Sequence, residues 1–260
     1  MRVILSVLFY WATAAGAGTL QITSTIYGAD DRELVGPGTA GEILHQARSV
    51  AGLFKVDEVA LVGQSMTLRA WPLGQAYQLC RKERFKDLPS AAECTGFLIA
   101  PNRITTAGHC LELKKPIACA NMIWSFDYQE GGYNWDGRRL SLPAANAYRC
   151  KKILVQHNTK DLDFAIIELD RPVEDRQPVR LGSTAGLRPG DRLYALGFPQ
   201  GVPMVWAASH EVVGLLIEGE MDLRKNKKLS CQESVPCPIN GCEGEVFLST
   251  EILKPFALIQ

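Results

Sequence analysis

The sequence has no charge imbalance: 28 Lys and Arg residues are matched by 28 Asp and Glu residues over 260 positions, for a formal net charge of zero. Without a basic excess there is no electrostatic footprint for nucleic acid or an anionic membrane surface. The short run Arg224-Lys225-Asn226-Lys227-Lys228 is too local to supply one and reads as a solvated turn. No apolar run reaches the roughly 20 residues needed to cross a bilayer, so no membrane span is expected. There is no internal repeat and no low-complexity tract. Nor is there a Cys-x-x-Cys pair, although the chain holds eight cysteines. One zinc set is conceivable, from Cys231, Cys237 and Cys242 with His210, but the missing Cys-x-x-Cys and the N-terminal pattern below argue against it. The expectation is no metal and no cofactor.

What is present begins with Met1-Arg2, an apolar run from Val3 to Ala14, and Ala15-Gly16-Ala17. A basic start, a short hydrophobic stretch and a small-x-small site mark residues 1–17 as a secretory signal peptide, and the chain as secreted or periplasmic. In that setting cysteines read as disulfides before metal ligands. With 47% hydrophobic and 22% charged residues, the chain is able to bury one sizeable core or two small ones.

Short runs punctuated by turn signals predict an all-β fold. Strands are expected at Val59–Ala70 (one strand or a hairpin), Cys94–Ile99, Arg103–Thr106, Met122–Tyr128, Arg149–His157, Phe164–Leu169, Arg192–Gly197, Pro203–Ala208 and Glu211–Ile217. Ile43, Ala47 and Val50 share a helical face, predicting a short helix over Glu42–Leu53 that ends near Gly52. His45, among polar neighbours there, reads as a surface residue. Tyr128–Asn146, with Gly131-Gly132 and Pro143, reads as a mobile loop in which Tyr133 and Trp135 pack on the solvent side rather than touch a ligand.

The most informative stretch is Thr105-Thr106-Ala107-Gly108-His109-Cys110, with Cys94 sixteen positions before Cys110. Two antiparallel strands joined by a turn at Pro101-Asn102 bring these cysteines together, and a bridge would fix the imidazole beside them. A fixed imidazole suits a general base, since proton transfer falls off steeply with misplacement. From spacing alone, a stapled hairpin with an incidental histidine is an equal reading.

The stretch resembles the histidine motif of chymotrypsin-like serine endopeptidases. Asp161-Leu162-Asp163-Phe164-Ala165-Ile166-Ile167-Glu168-Leu169-Asp170 resembles the aspartate motif of the same family. The resemblance implies His109 as general base and Asp163, rather than Asp161, as the acid that holds its tautomer. Ile26-Tyr27-Gly28-Ala29-Asp30-Asp31-Arg32 is similar to the start of the mature domain in the bacterial glutamyl-endopeptidase-like branch. Leu196-Gly197-Phe198-Pro199-Gln200-Gly201 is similar to that branch's Gly-aromatic-Pro turn, and Val212–Gly219 resembles the strand that follows the family nucleophile.

The implied fold is a chymotrypsin-like double antiparallel β-barrel whose second barrel is incomplete, followed by a disulfide-rich tail. Residues 18–79 form a lead-in and the start of the protease-like domain, 80–219 the trypsin-like domain and 220–260 the Cys-rich tail. Cys94 pairs with Cys110, and Cys119 and Cys150 are candidate partners across the first barrel. Cys231, Cys237 and Cys242 cluster in the tail, where one of them is a candidate partner for Cys80. Substrates or ligands of this family are proteins or peptides.

The family nucleophile sits in Gly-x-Ser-Gly, and this sequence contains no such tetrapeptide. If the turn at Gly197 and the strand at Val212 are placed correctly, the serine belongs between them, where only Gln200–Glu211 stand. An internal deletion, genuine or a mis-spliced translation, is the simplest expectation. Gly241-Cys242-Glu243-Gly244 keeps the glycine spacing with Glu243 at the serine position. Ser209, Ser230 and Ser234 lack the glycines, and none brings an oxyanion hole. The expectation is an acid and a base without a nucleophile: an inactive relative of the peptidases, or a pseudoprotease that binds peptides.

Overall fold

The structure is a computed structural model that describes residues 30–112, 119–159, 162–182, 188 and 192–211, with the side chains of residues 57, 192 and 208–211 left aside. The expected signal peptide (1–17), the strand Val212–Gly219, the tail from residue 220 and Asp161 lie outside the described residues.

The chain opens with β1 (Glu33–Leu34) and α1 (Gly41–Ala47), then β2 (Val50–Lys55), β3 (Val59–Val62) and β4 (Ser65–Arg69). A short arm follows, comprising β5 (Trp71–Pro72), α2 (Leu73–Ala76) and β6 (Pro89–Ser90). Next come β7 (Cys94–Ala100), β8 (Arg103–Thr106), β9 (Met122–Phe126), β10 (Asn134–Trp135) and β11 (Arg139–Pro143). The described elements end with β12 (Ala147–Asn158), β13 (Asp163–Leu169), β14 (Arg192–Gly197) and β15 (Val205–Glu211).

Six strands close a barrel in the order β12-β13-β8-β7-β2-β9, every pairing antiparallel. Its interior holds Leu53, Leu98, Ile104, Met122, Trp124, Phe126, Ala165 and Ile167. Alternate residues of β13 point inward, as period-2 side-chain geometry requires. A four-stranded sheet, β10-β11-β4-β3, covers a second core around Phe54, Met66, Tyr128, Leu140, Leu142 and Phe198. The remaining strands form β1-β15-β14 and the pair β5-β6.

Two expectations are corrected. The helix expected over Glu42–Leu53 stops at Ala47, and Val50–Lys55 is strand. Ala51 and Leu53 fill the barrel while Val50 and Phe54 fill the second core. With both faces buried, β2 shows no polar alternation, so its apolar residues fell by chance onto a helical period. The expected loop Tyr128–Asn146 contains the hairpin β10–β11. Its Tyr133 and Trp135 pack against the second core, and the Trp135 indole N–H donates to the Ala70 carbonyl at 3.2 Å.

The β1-β15-β14 sheet is tied to the segment that follows barrel strand β9 through backbone contacts. The Val35 N–H donates to the Met204 carbonyl at 2.8 Å, Glu130 N–H to Val35 at 2.9 Å, and Met204 N–H to Tyr128 at 2.8 Å. The Gly-aromatic-Pro turn docks on the segment leading into β7. Gln200 and Gly201 adopt φ of 51° and 77°, and the Gly201 carbonyl accepts from Ala91 and Ala92 at 2.8 and 3.2 Å. A side chain at Gly201 would meet the Ala92 carbonyl, so glycine is required both for φ and for space.

The start of the described chain is clamped by charge. Asp30 accepts from the Arg32 guanidinium at 2.7 and 2.8 Å, while Arg84 donates to the Asp30 and Arg32 carbonyls. Arg32 and Arg84 both stack on the Phe85 ring. Hydrogen bonding from Arg32, opposed by burial, holds the Asp30 carboxyl down at about 2. A depressed folded-state pKa contributes stability above the unfolded value that is lost as the carboxylate protonates. The clamp is therefore expected to loosen as pH falls from 3.8 to about 2. Amide hydrogen exchange of residues 30–34 across that window checks this, and protection that is flat with pH, or identical in Asp30→Asn, rules it out.

Candidate active site

The site is built where two hairpins meet. β8 pairs with β13 through Ala165 opposite Thr106 and Ile166 opposite Thr105, which brings the start of β13 to the end of β8. Two threonines of β8 fasten it to its neighbours, Thr105 to β13 and Thr106 to β7. Thr105 Oγ1 donates to the Ala165 carbonyl at 3.0 Å, and Thr106 Oγ1 donates to the Thr95 carbonyl at 2.7 Å. After extended Ala107 the chain turns through the 3-10 segment Gly108–Leu111, which carries His109 back over Asp163.

Gly108 makes that turn possible. A Cβ there would overlap the His157 carbonyl oxygen and press on the Phe164 carbonyl, so only glycine lets the turn sit on the β12–β13 hairpin. Gln156 reinforces the position by donating from Nε2 to the Gly108 carbonyl at 3.1 Å and to the Glu112 carboxylate at 3.1 Å. Asn158 donates to the same carboxylate at 2.5 Å.

Asp163 grips His109 twice. One carboxylate oxygen accepts the His109 backbone N–H at 2.9 Å and the other lies 2.7 Å from ring Nδ1. The Asp163 side chain is 8% exposed and that of His109 is 19% exposed. An ionised carboxylate facing Nδ1 places the ring proton there and leaves the Nε2 lone pair to accept a proton. The backbone bond fixes ring position as well as tautomer, because it holds the same residue's main chain to the same carboxylate.

Cys94, on β7, and Cys110, in the turn, form a disulfide with Cα atoms 6.1 Å apart. Cys119 and Cys150 form another at 5.1 Å, joining the chain before β9 to β12. Cys80 is also disulfide-bonded; Cys231, Cys237 and Cys242 lie outside the described residues. The Cys110 sulfur lies 3.8 Å from His109 Nε2, so the cystine lies against the imidazole. Ser209 lies on β15, whereas Ser230, Ser234 and Glu243 are outside the described residues, as is most of the proposed tail zinc set.

Sequence reasoning passed over three supporting residues. Gly108 stood inside the quoted motif, but its partner, His157, is far along the chain. Gln156 carried no local signal. Thr95 Oγ1 accepts the Phe198 N–H at 3.0 Å, coupling the cystine strand to the Gly-aromatic-Pro turn. A hydroxyl beside Cys94 does not announce that contact.

Comparison with known proteins follows this geometry. Among solved structures, the VesB protease of Vibrio cholerae shares 16% identity at a TM-score of 0.40, covering 68% of this chain and 43% of that one. The secreted serine protease VesC of Vibrio cholerae also shares 16% identity at 0.40, covering 68% of this chain and 30% of that one. A chain described as GrC shares 16% at 0.38, covering 68% and 63%. This chain thus spans less than two thirds of each. No curated protein matches the sequence. The family model described as trypsin-like peptidase domain matches residues 94–242. That span is more than half of the sequence and includes both His109 and Asp163, and the chain belongs to the trypsin-like peptidase domain family.

Proposed function

We propose that His109 and Asp163 are the base and the orienting acid of a peptidase-type site that lacks its serine, so that the chain hydrolyses peptide bonds little or not at all. The observation that carries this reading is the doubly anchored imidazole, at 2.9 and 2.7 Å from one carboxylate, in a sequence with no Gly-x-Ser-Gly. In a complete family member a serine hydroxyl attacks the peptide carbonyl and the histidine takes its proton. The carboxylate then steadies the imidazolium while backbone N–H groups hold the oxyanion. An acid–base pair without the attacking hydroxyl performs neither acylation nor deacylation.

A second placement of the missing group stands beside an excision between Pro199 and Val212: Gly241-Cys242-Glu243-Gly244 keeps the glycine spacing of the family motif. There Glu243 stands at the serine position, one residue past the end of the family match at Cys242. The expected result with a fluorophosphonate probe is no covalent adduct by intact-protein mass, and a gain of labelling in Glu243→Ser. Stoichiometric labelling of a serine in the unmodified chain, abolished by His109→Ala, would overturn the inactive reading.

A second reading is a pseudoprotease, exported and holding a protein or peptide in the cleft. It is favoured by the intact His109–Asp163–cystine constellation, and export is supported by the N-terminal pattern and the disulfides. Placement in the glutamyl-endopeptidase-like branch rests on Ile26–Arg32 and the Gly197–Gly201 turn. No glutamate preference is carried over with it.

A further inference from the structure

We propose that the reduced chain carries a zinc site made of Cys94, Cys110 and His109. The two sulfurs and a ring nitrogen of His109 lie within 4.8 Å of one another, with Nε2 3.8 Å from the Cys110 sulfur. As a cystine the sulfurs are poor ligands. A dithiol changes that by breaking the S–S bond: the dithiol is oxidised to its own disulfide, and each cysteine sulfur gains one electron and one proton. Zinc then displaces the two thiol protons, and two thiolates balance its charge.

The geometry suits the ion. Zn–S bonds of about 2.3 Å at a tetrahedral angle put two thiolates about 3.8 Å apart, a separation that side-chain rotation supplies at a Cα–Cα distance of 6.1 Å. Asp163 completes the arrangement from behind. A metal-bound histidine typically donates its other ring N–H to a carboxylate, which fixes the tautomer and raises ligand basicity. Asp163 already holds Nδ1 at 2.7 Å, leaving Nε2 directed to the sulfurs. Cys110 is 3% exposed and Cys94 half-buried, so the Cys110 thiolate would be sheltered from competing solvent. Three protein ligands leave a fourth coordination position for water or another donor.

The ion and the cystine exclude each other, and a zinc-bound Nε2 has no lone pair with which to accept a proton. The imidazole is therefore available as a base only while no zinc is bound, a condition the cystine guarantees. Metal binding itself does not rest on any hydrolytic reading of the site.

The test uses the full chain, reduced with dithiothreitol, desalted without oxygen and titrated with Co2+ as a spectroscopic stand-in for zinc. The reduced chain is expected to develop thiolate-to-cobalt charge-transfer and tetrahedral d–d bands that the oxidised chain lacks. Those bands should persist in Cys119→Ser/Cys150→Ser and vanish in Cys94→Ser/Cys110→Ser. Affinity should fall at least about tenfold in His109→Ala and roughly 10- to 100-fold in Asp163→Asn. Equal binding by the oxidised chain, or bands that survive Cys94→Ser/Cys110→Ser or are unchanged in His109→Ala, overturns the proposal. Should a variant fail to fold, the unmodified chain still decides the matter through iodoacetamide trapping and peptide mass analysis. Zn2+ should protect Cys94 and Cys110 but not Cys119 and Cys150. Absent or indiscriminate protection rejects the site.

Discussion

Replacing Gly108 with alanine is expected to cost more than about 4 kcal/mol, the range reached only when a substitution forces backbone apart or guts a core. The added methyl has no flexible side chain to push aside. It meets the main-chain oxygens of His157 and Phe164, both in the β12–β13 hairpin. Relief requires the Gly108–Leu111 turn to lift off that hairpin, which breaks the Gln156–Gly108 hydrogen bond and both His109–Asp163 contacts. A domain of this size has a total stability of about 5–15 kcal/mol, so the variant should melt at least about 8–16 °C lower or fail to accumulate folded. Gly38→Ala is the matched control, because a methyl there meets nothing within 4 Å; it should stay within about 0.5 kcal/mol of the parent. Equal melting temperatures for the two variants would show that the close approach at Gly108 is unimportant.

The second large effect is expected at Arg176, which is 5% exposed and lies far in sequence from most of its partners. Its guanidinium donates to both oxygens of Asp127 at 3.0 and 3.1 Å, to both of Asp175 at 3.0 and 2.7 Å, and to the Arg48 carbonyl at 3.1 Å. It also lies 4.6 Å from the Phe126 ring centroid. Burial opposes its charge, yet hydrogen bonds to Asp175 and Asp127 outweigh that and raise its pKa. Hydrogen bonding from Arg176, despite partial desolvation, lowers that of Asp175.

Arg176→Ala removes the buried cation that Asp127 and Asp175 share; because those carboxylates keep solvent access, at 29% and 55% side-chain exposure, the cost should fall at the low end of the buried-pair range, about 3 kcal/mol. Lysine offers a point charge in place of the planar fork, so Arg176→Lys should recover only part of this. The depressed Asp175 pKa contributes stability at neutral pH that disappears as pH falls below the ordinary carboxylate range; the Ala variant should lose that acid dependence. Lys151→Ala, which breaks the exposed Lys151–Glu168 pair, should cost under about 1 kcal/mol. Denaturant melts of the three proteins at neutral and acid pH check both the order and the slope. A small Arg176→Ala effect, comparable with Lys151→Ala, would remove the charge cluster from the account.

Legibility in the sequence tracked how local each signal was. Thr105–Cys110 and Asp161–Asp170 are short motifs with fixed internal spacing, so the residues to inspect were evident before any fold. β13 was readable because one of its faces is buried and the other is not. β2 was misread for the opposite reason: with Val50–Phe54 buried on both faces, no polar alternation exposed its period. β10 and β11 were missed because two residues, then five ending in proline, lie among glycines. Arg176 and Gly108 gave least warning of all. An arginine destined for burial looks like any surface arginine, and a glycine's need for space depends on a carbonyl 49 positions away, as Gly108 and His157 show.

His109 and Asp163 belong to different hairpins, β7–β8 and β12–β13, joined by β8–β13 pairing. Neither hairpin alone holds the pair: the imidazole acquires its tautomer only when the two ribbons zip together. The His109–Asp163 contact is thus a reporter of ribbon docking, and any cut or slip that separates them breaks it without touching a side chain.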